Sequence, residues 1–161
     1  PNSIPEESDG VGVPANRALT AAEMARRADI AFHPYHRELA RRLDSLGDPF
    51  VIAVHSCTAV FAGQARPWHV GVLWRRDAAS AGRLIAALAR DKALHVGDNQ
   101  PYSAFDAPGH TVADVVEPRK LRHVIIEIRQ DLIAGDAGAE AWAERLADLL
   151  TREFALVEAQ S

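Results

Sequence analysis

The chain has 161 residues, of which 48% are hydrophobic and 25% are charged, and its formal net charge at pH 7 is −4. These values suit one soluble globular domain over residues 1–161. They predict no nucleic-acid partner, because the charge is negative and the arginines are dispersed along the chain. No apolar run approaches membrane-spanning length and no signal peptide is visible, so we expect no membrane partner. Cys57 is the only cysteine, which favours a reducing cytoplasm.

The chain opens with a loop-like segment that gives way to a helix. Residues 1–19 contain three prolines and two glycines without periodicity, and they predict an irregular loop. Thr20 and Glu23 have the spacing of a capping box, in which side chains at both ends satisfy free backbone donors. An apolar residue then recurs every three or four positions, so we expect a helix that ends at Gly47.

A proline interrupts this helical pattern. Pro34 predicts a kink or a break near His33. The sequence His33-Pro34-Tyr35-His36 invites a chemical interpretation, but we favour a kinked helix with Tyr35 in the core and the histidines at the surface. We therefore assign no function to this segment.

The run from Phe50 to Cys57, FVIAVHSC, predicts a buried strand. Its β-branched residues favour an extended backbone, and it lacks apolar and polar alternation before His55. Both faces are therefore expected to be covered, as in a central strand of an α/β sheet. His55 then lies at the carboxyl end of that strand, where ligands collect in open α/β sheets.

Strand-like and helix-like segments alternate along the rest of the chain, which predicts a three-layer α/β/α domain. The run HVIIEI is a second buried strand, and it ends among the polar residues Glu127, Arg129 and Asp131. Beyond 50–57, we expect strands at 70–74, 94–96 and 123–128, helices at 75–90 and 137–154, and a long polar connection at 97–119.

Two of these strands end in groups that are suited to chemistry. A neutral imidazole at His55 could bind a metal, and Glu127 could act as a base. If the strands are neighbours, the two groups converge. The alternatives are a hydrogen-bonded structural histidine and an ion pair between Glu127 and Arg129, which share one strand face. The sequence has no nucleophile elbow, phosphate-binding loop or dinucleotide fingerprint.

The chain contains, in this order, the segments SDGVGVPAN, HPYH, AVHSCT, RPWHVGVLWRRD, VGDNQPYS and HVIIEIRQDLI. Through these segments it resembles, from residue 7 to about 150, the N-formylglutamate amidohydrolase family. These are zinc-dependent hydrolases whose fold is related to that of the zinc carboxypeptidases and aspartoacylases. The resemblance implies a mixed, mostly parallel central sheet of that type. It also implies that His55 is the third zinc ligand and Glu127 the catalytic base.

The same resemblance implies that the metal site is incomplete in this chain. Members of the family place a histidine and an acidic ligand just after their first strand, upstream of the segment that matches residues 1–19. The chain begins at Pro1 without an initiator methionine, and we expect the other ligands to lie before it.

The implied reaction is hydrolysis of a small acidic N-acyl amino acid, with N-formyl-L-glutamate giving formate and L-glutamate. Cationic or amide side chains are needed for its carboxylates. The alternatives are a metal-free binding domain, an inactive fragment, or a related deacylase or carboxypeptidase. The pattern predicts no particular oligomeric state. The candidate substrate-binding residues are Arg66, Asn99, Tyr102 and Arg129.

Overall fold

The computed structural model of the protein describes residues 4–106 and 109–154, and a β-sheet lies at its centre. The strands are β1 (Glu7–Ser8), β2 (Val11–Gly12), β3 (Val51–Cys57), β4 (Val60–Phe61), β5 (Gln64–Ala65), β6 (Val70–Leu73), β7 (Val96–Asp98) and β8 (His123–Arg129). The α-helices are α1 (Ala21–Arg27), α2 (His33–Leu46), α3 (Ala78–Leu88) and α4 (Asp136–Phe154).

The central sheet is mixed, as predicted. It has four strands in the order β3-β8-β6-β7. β3 runs parallel to β8, β6 runs antiparallel to β8, and β7 runs parallel to β6. The amino end of β6 and the carboxyl ends of β3 and β8 therefore meet at one edge of the sheet.

One face of the sheet packs against α3 and α4. Alternate residues of a strand point to opposite faces, and Val124, Ile126 and Ile128 of β8 point to this one. The helices contribute apolar residues at helical spacing, which buries a continuous core. The buried residues of this cluster are Val70, Val72, Ala81, Leu84, Leu88, Val124, Ile126, Ile128, Trp142, Leu146 and Leu150.

The other face, called the front face below, is covered by α2 and by a π-helical segment at Thr111–Val116. Ile125 of β8 and Leu73 of β6 point to this side and pack with Leu43 of α2 and Val116. Helices on both faces complete the predicted three-layer α/β architecture. The front face also carries Glu127, because Glu127 lies two residues beyond Ile125.

The expected central position of β3 is wrong for the residues that the structure describes. β8 is the strand that pairs with β3, so β3 lies at one end of the four-stranded order. The side chain of Val54 is consequently 57% exposed, and His55 and Ser56 are exposed as well. The unbroken apolar sequence correctly predicted a strand, but it wrongly predicted that both faces of the strand would be buried.

The N-terminal helix begins as predicted. The Thr20 side chain accepts from the backbone N–H of Glu23, and the Glu23 carboxylate accepts from Thr20, so the capping box is complete. The expected disturbance near Pro34 is a π-helical segment at Ala28–Phe32, directly before α2. Tyr35 is 56% exposed, so its predicted place in the core is wrong.

Several predicted boundaries differ from the structure in detail. α3 begins after Asp77, whose side chain accepts from the backbone N–H of Ser80, and β7 begins two residues later than the strand predicted at 94–96. Within 1–19, the described part contains the β1–β2 hairpin and a 3-10 turn at Pro14–Asn16. None of the helices in 4–106 and 109–154 is both long and apolar enough to cross a bilayer.

Candidate active site

Four residues in register form a row across the front face of the sheet. His55 of β3 pairs with Glu127 of β8, Glu127 pairs with Gly71 of β6, and Gly71 pairs with Gly97 of β7. Residues in register on neighbouring strands lie side by side on the same face. The two groups that the sequence singled out therefore converge near the carboxyl ends of two parallel strands.

Glu127 has the environment expected of an acid–base residue. It is only 8% exposed, and its Oε2 atom receives no hydrogen bond from any described residue. Burial raises the pKa of the Glu127 carboxyl, while the nearby charges of His55 and Arg66 oppose that shift. A buried, unpaired carboxyl in a cavity is a candidate for proton transfer.

His55 and Glu127 open onto a cavity of about 320 Å³ on the front face. Its apolar wall includes Leu73 and Ile125, and Tyr102 adds a phenol. A larger cleft of about 490 Å³ lies between α3 and α4, on the other side of the sheet. Because that cleft is remote from His55 and Glu127, we place the candidate site in the smaller cavity.

Arg66 does not itself line this cavity, but it packs against Tyr102, which does. Its guanidinium carbon is 4.7 Å from the ring centroid of Phe61 and 4.6 Å from that of Tyr102, so it makes cation–π contacts with two aromatic rings. Its Nη1 also donates to the hydroxyl of Thr58 at 3.0 Å. Arg66 is buried, and its charge opposes the rise in the Glu127 pKa, which places a cation next to the candidate base.

A close approach of the loop after β7 brings Tyr102 to the cavity. An added Cβ atom at Gly71 would overlap the carbonyl oxygen of Gln100 and lie 2.9 Å from its carbonyl carbon. At Gly97 it would lie 2.7 Å from the Gln100 Cβ atom. The two glycines therefore leave room for the loop that carries Tyr102 to cross the sheet beside Glu127.

Asn99 holds this loop in place. Its side-chain oxygen accepts from the backbone N–H of Trp74 at 2.9 Å and from that of Ala104 at 3.4 Å. Its own backbone N–H donates to the carbonyl of Val72 at 3.0 Å. Asn99 is not among the residues that line the cavity, so its contacts here are those of a structural residue.

Arg129 fixes the segment that carries Arg66. Its Nε donates to Asp131 at 2.7 Å, and its Nη1 donates to the backbone carbonyls of Arg66 and Pro67 at 3.2 and 3.4 Å. The ion pair considered between Arg129 and Glu127 is not found among the described residues, because Arg129 pairs with Asp131 instead. Arg129 does not line the cavity.

His110 lines the cavity, although its sequence context predicts no role for it. Its Nδ1 lies 2.6 Å from Oδ2 of Asp114, four residues later. The His-x-x-x-Asp spacing was visible in the sequence, but it indicates a function only when the pair is known to lie at a cavity. That position follows from the packing of the π-helical segment against the sheet.

The donor atoms fit one position of a zinc site. His55 is an exposed imidazole beside a carboxyl that could act on a metal-bound water. In residues 4–106 and 109–154 no group of three or more histidine, cysteine, aspartate or glutamate side chains is placed to hold a metal ion. These residues therefore supply at most a part of such a site.

A protein-family model matches most of the chain. The model of a protein family described as N-formylglutamate amidohydrolase matches residues 1–134. A comparison with curated proteins gives no match.

Solved structures share the fold over most of the chain. The crystal structure of a gene product from Agrobacterium tumefaciens superposes with a TM-score of 0.84 and 31% identity, covering 96% of this chain and 63% of that one. The crystal structure of an N-formylglutamate amidohydrolase from Ralstonia eutropha JMP134 superposes with a TM-score of 0.52 and 21% identity, covering 72% of this chain and 45% of that one. The chain thus spans less than two thirds of the length of either relative.

Proposed function

Because this chain belongs to the N-formylglutamate amidohydrolase family, we propose that it forms part of an enzyme that hydrolyses the amide of a small acidic N-acyl amino acid. The proposed substrate is N-formyl-L-glutamate, and the products are formate and L-glutamate. The observation that carries this proposal is the buried Oε2 of Glu127, which has no hydrogen-bond partner in the described chain and adjoins both His55 and a cavity.

Glu127 is the proposed general base and acid. Its carboxylate takes a proton from the water molecule whose oxygen attacks the formyl carbon, and the C–N bond then breaks. The same carboxyl returns the proton to the leaving amine nitrogen, so Glu127 ends in its starting state. Burial favours this exchange, because it raises the pKa of the carboxyl and brings its proton affinity closer to what the second step requires.

His55 is the proposed zinc ligand of this chain. When bound, zinc supplies a positive charge that acidifies a water molecule and polarises a carbonyl. A catalytic zinc site commonly has three protein ligands, so we propose that the others come from a part of the protein outside the described residues. The chain itself orients one imidazole and places Glu127 in register with it.

Arg66 and Tyr102 are the proposed contacts for the charged parts of the substrate. A guanidinium matches the planar geometry of a carboxylate, and the two aromatic rings fix the orientation of this one. Asn99 and Arg129, the other two candidates, are proposed to act through the segments that they hold, namely the loop before Tyr102 and the backbone at Arg66.

The test uses the complete protein with Glu127→Gln. Removing a general base is expected to slow deformylation of N-formyl-L-glutamate by roughly 10²–10⁴-fold. Zinc content by elemental analysis and substrate affinity by calorimetry should stay near the wild-type values, since amide and carboxyl have nearly the same shape. Glu38→Gln is the control, because Glu38 is an exposed residue that pairs with Arg41 on the surface of α2.

Each part of the proposal has its own contrary result. Undiminished turnover in Glu127→Gln would remove Glu127 from the mechanism. An active protein without stoichiometric zinc would refute the role given to His55. A panel of N-formyl, N-acetyl and N-succinyl amino acids, together with C-terminal peptide substrates, separates deformylation from related deacylase or carboxypeptidase activity.

A further inference from the structure

His110 and Asp114 form a hydrogen-bonded pair at the rim of the candidate site. An ionised aspartate only accepts hydrogen bonds, so the proton at the 2.6 Å contact belongs to the Nδ1 atom of His110. The other ring nitrogen, Nε2, makes no hydrogen bond with any residue that the structure describes. The ring therefore has one nitrogen fixed by the protein and one left for a ligand.

The orientation of this ring is fixed from a second side. The ring of Phe32 meets that of His110 edge-on, with centroids 5.1 Å apart and an interplanar angle of 88°. Phe32 ends the π-helical segment before α2, whereas His110 directly precedes the one at Thr111–Val116. Two elements that are distant in sequence thus hold the imidazole at the cavity that contains His55 and Glu127.

Another pair with the same spacing shows what is particular about His110. His33 lies four residues after Asp29, but its Nε2 is 3.9 Å from the carboxylate, and both side chains are more than half exposed. His33 does not line the cavity. His36 differs again, because both of its ring nitrogens are within hydrogen-bonding distance of partners, the carbonyl of Phe32 and the hydroxyl of Thr111.

The proposed substrate presents two carboxylates, and each needs a cationic partner when it leaves water. Arg66 supplies one cation beside Glu127. Among the cavity-lining residues, His110 is the further side chain that can carry a positive charge once His55 is assigned to the metal. The wall around it is apolar, with Leu73, Val112 and Ile125, which suits the methylene groups of an acidic side chain.

We infer that His110, oriented by Asp114, determines specificity by donating a hydrogen bond from Nε2 to the side-chain carboxylate of the substrate. In this arrangement the imidazolium lies between two carboxylates, that of Asp114 and that of the ligand, and each ring nitrogen donates to one of them. This inference rests on the proposed function, and it adds the residue by which an acidic substrate is distinguished from its neutral isostere.

The experiment compares N-formyl-L-glutamate with N-formyl-L-glutamine in the complete, zinc-loaded protein. For His110→Asn we expect the preference for the acidic substrate in kcat/KM to fall by roughly 10- to 100-fold, mainly through KM, because a charge-assisted hydrogen bond is lost. Asp114→Asn should act in the same direction with a smaller effect. His33→Asn is the matched control and should leave the preference unchanged.

A binding measurement keeps this inference separate from the proposed reaction. Calorimetry with L-glutamate and L-glutamine should show that the wild type prefers the acidic ligand and that His110→Asn loses this preference, whether or not the protein deformylates. If the wild type binds both ligands equally, or if His110→Asn retains the preference, the inference is refuted. If the binding preference depends on His110 but no deformylation occurs, the proposed reaction fails and the inference stands.

Discussion

Replacing Gly71 with alanine tests whether the loop that carries Tyr102 is held against the sheet. The added methyl group would overlap the carbonyl oxygen of Gln100 and lie 2.9 Å from its carbonyl carbon. Both atoms belong to the backbone, so no side-chain rotation relieves the clash. Gly71 is buried in β6 between two paired strands, so the strand cannot easily move away either.

The expected cost is about 3 kcal/mol in the free energy of unfolding, at the upper end of the usual range for overpacking a core. For a chain of this size such a loss lowers Tm by roughly 6–12 °C. Urea unfolding and differential scanning calorimetry measure the two quantities. Because the displaced loop carries Tyr102, which packs on Arg66, kcat/KM for the proposed substrate should fall as well.

Gly82→Ala provides a control of opposite sign. Gly82 is an exposed residue inside α3, and an added Cβ atom there would meet nothing within 4 Å. The substitution should stabilise the protein by about 1 kcal/mol, because alanine is the better helix former. If Gly71→Ala unfolds at the same urea concentration as the wild type, the close approach of the loop to Gly71 does not constrain the fold.

Two further substitutions test the helix cap at Asp77 and the packing of Arg66 against Phe61 and Tyr102, which we call the guanidinium clamp. Asp77→Ala should cost about 1–2 kcal/mol at pH 7. Although partial burial alone would raise the pKa of Asp77, hydrogen bonds from the backbone N–H groups of Ser80 and His123 lower it overall. Its contribution to stability is therefore full above the ordinary carboxyl pKa and is lost as the pH falls through the folded-state pKa. Urea titrations at pH 7 and pH 3 should show that the difference in the free energy of unfolding between wild type and variant is smaller in acid. An equal difference at both pH values would contradict this. Arg66→Lys keeps the charge but loses the planar guanidinium that contacts both rings, and kcat/KM should fall by roughly tenfold with little change in Tm. Unchanged kinetics would show that the clamp has no role.

Local sequence patterns predicted the elements that depend on contacts between residues close in the chain and the elements that are almost completely buried. The capping box at Thr20 forms as expected, since its partners lie three residues apart. β8 is buried over most of its length and was recognisable from its β-branched run. The sequence did not predict that β3 pairs with β8. It predicted only that His55 and Glu127 would converge if those two strands were neighbours.

The error at Tyr35 has a specific physical cause. The apolar positions of this segment were assigned to one face because they recur every three or four residues. Tyr35 and Leu43 lie eight residues apart in α2, and at 3.6 residues per turn that spacing turns a side chain about 80° around the helix. Leu43 reaches the core, whereas Tyr35 points to solvent.

The clamp around Arg66 could not be predicted from spacing. Phe61 lies on β4 and Tyr102 on the loop after β7, and they come together only when that loop crosses the two glycines of the sheet. His110 is a similar case, because a His-x-x-x-Asp pair is common on helical surfaces. Both features depend on contacts between segments that are far apart in the chain.

The row across the front face links the chemistry to the packing. In β3 and β8 it carries the side chains of His55 and Glu127, and in β6 and β7 it carries the glycines at 71 and 97, which have none. Larger residues at the glycine positions would push the following loop away from the sheet, and Tyr102 would lose its contact with Arg66. The glycines are therefore as much a part of the candidate site as the histidine and the glutamate, since the loop can bring the proposed substrate-binding side chain of Tyr102 beside Glu127 only where the row carries no side chains.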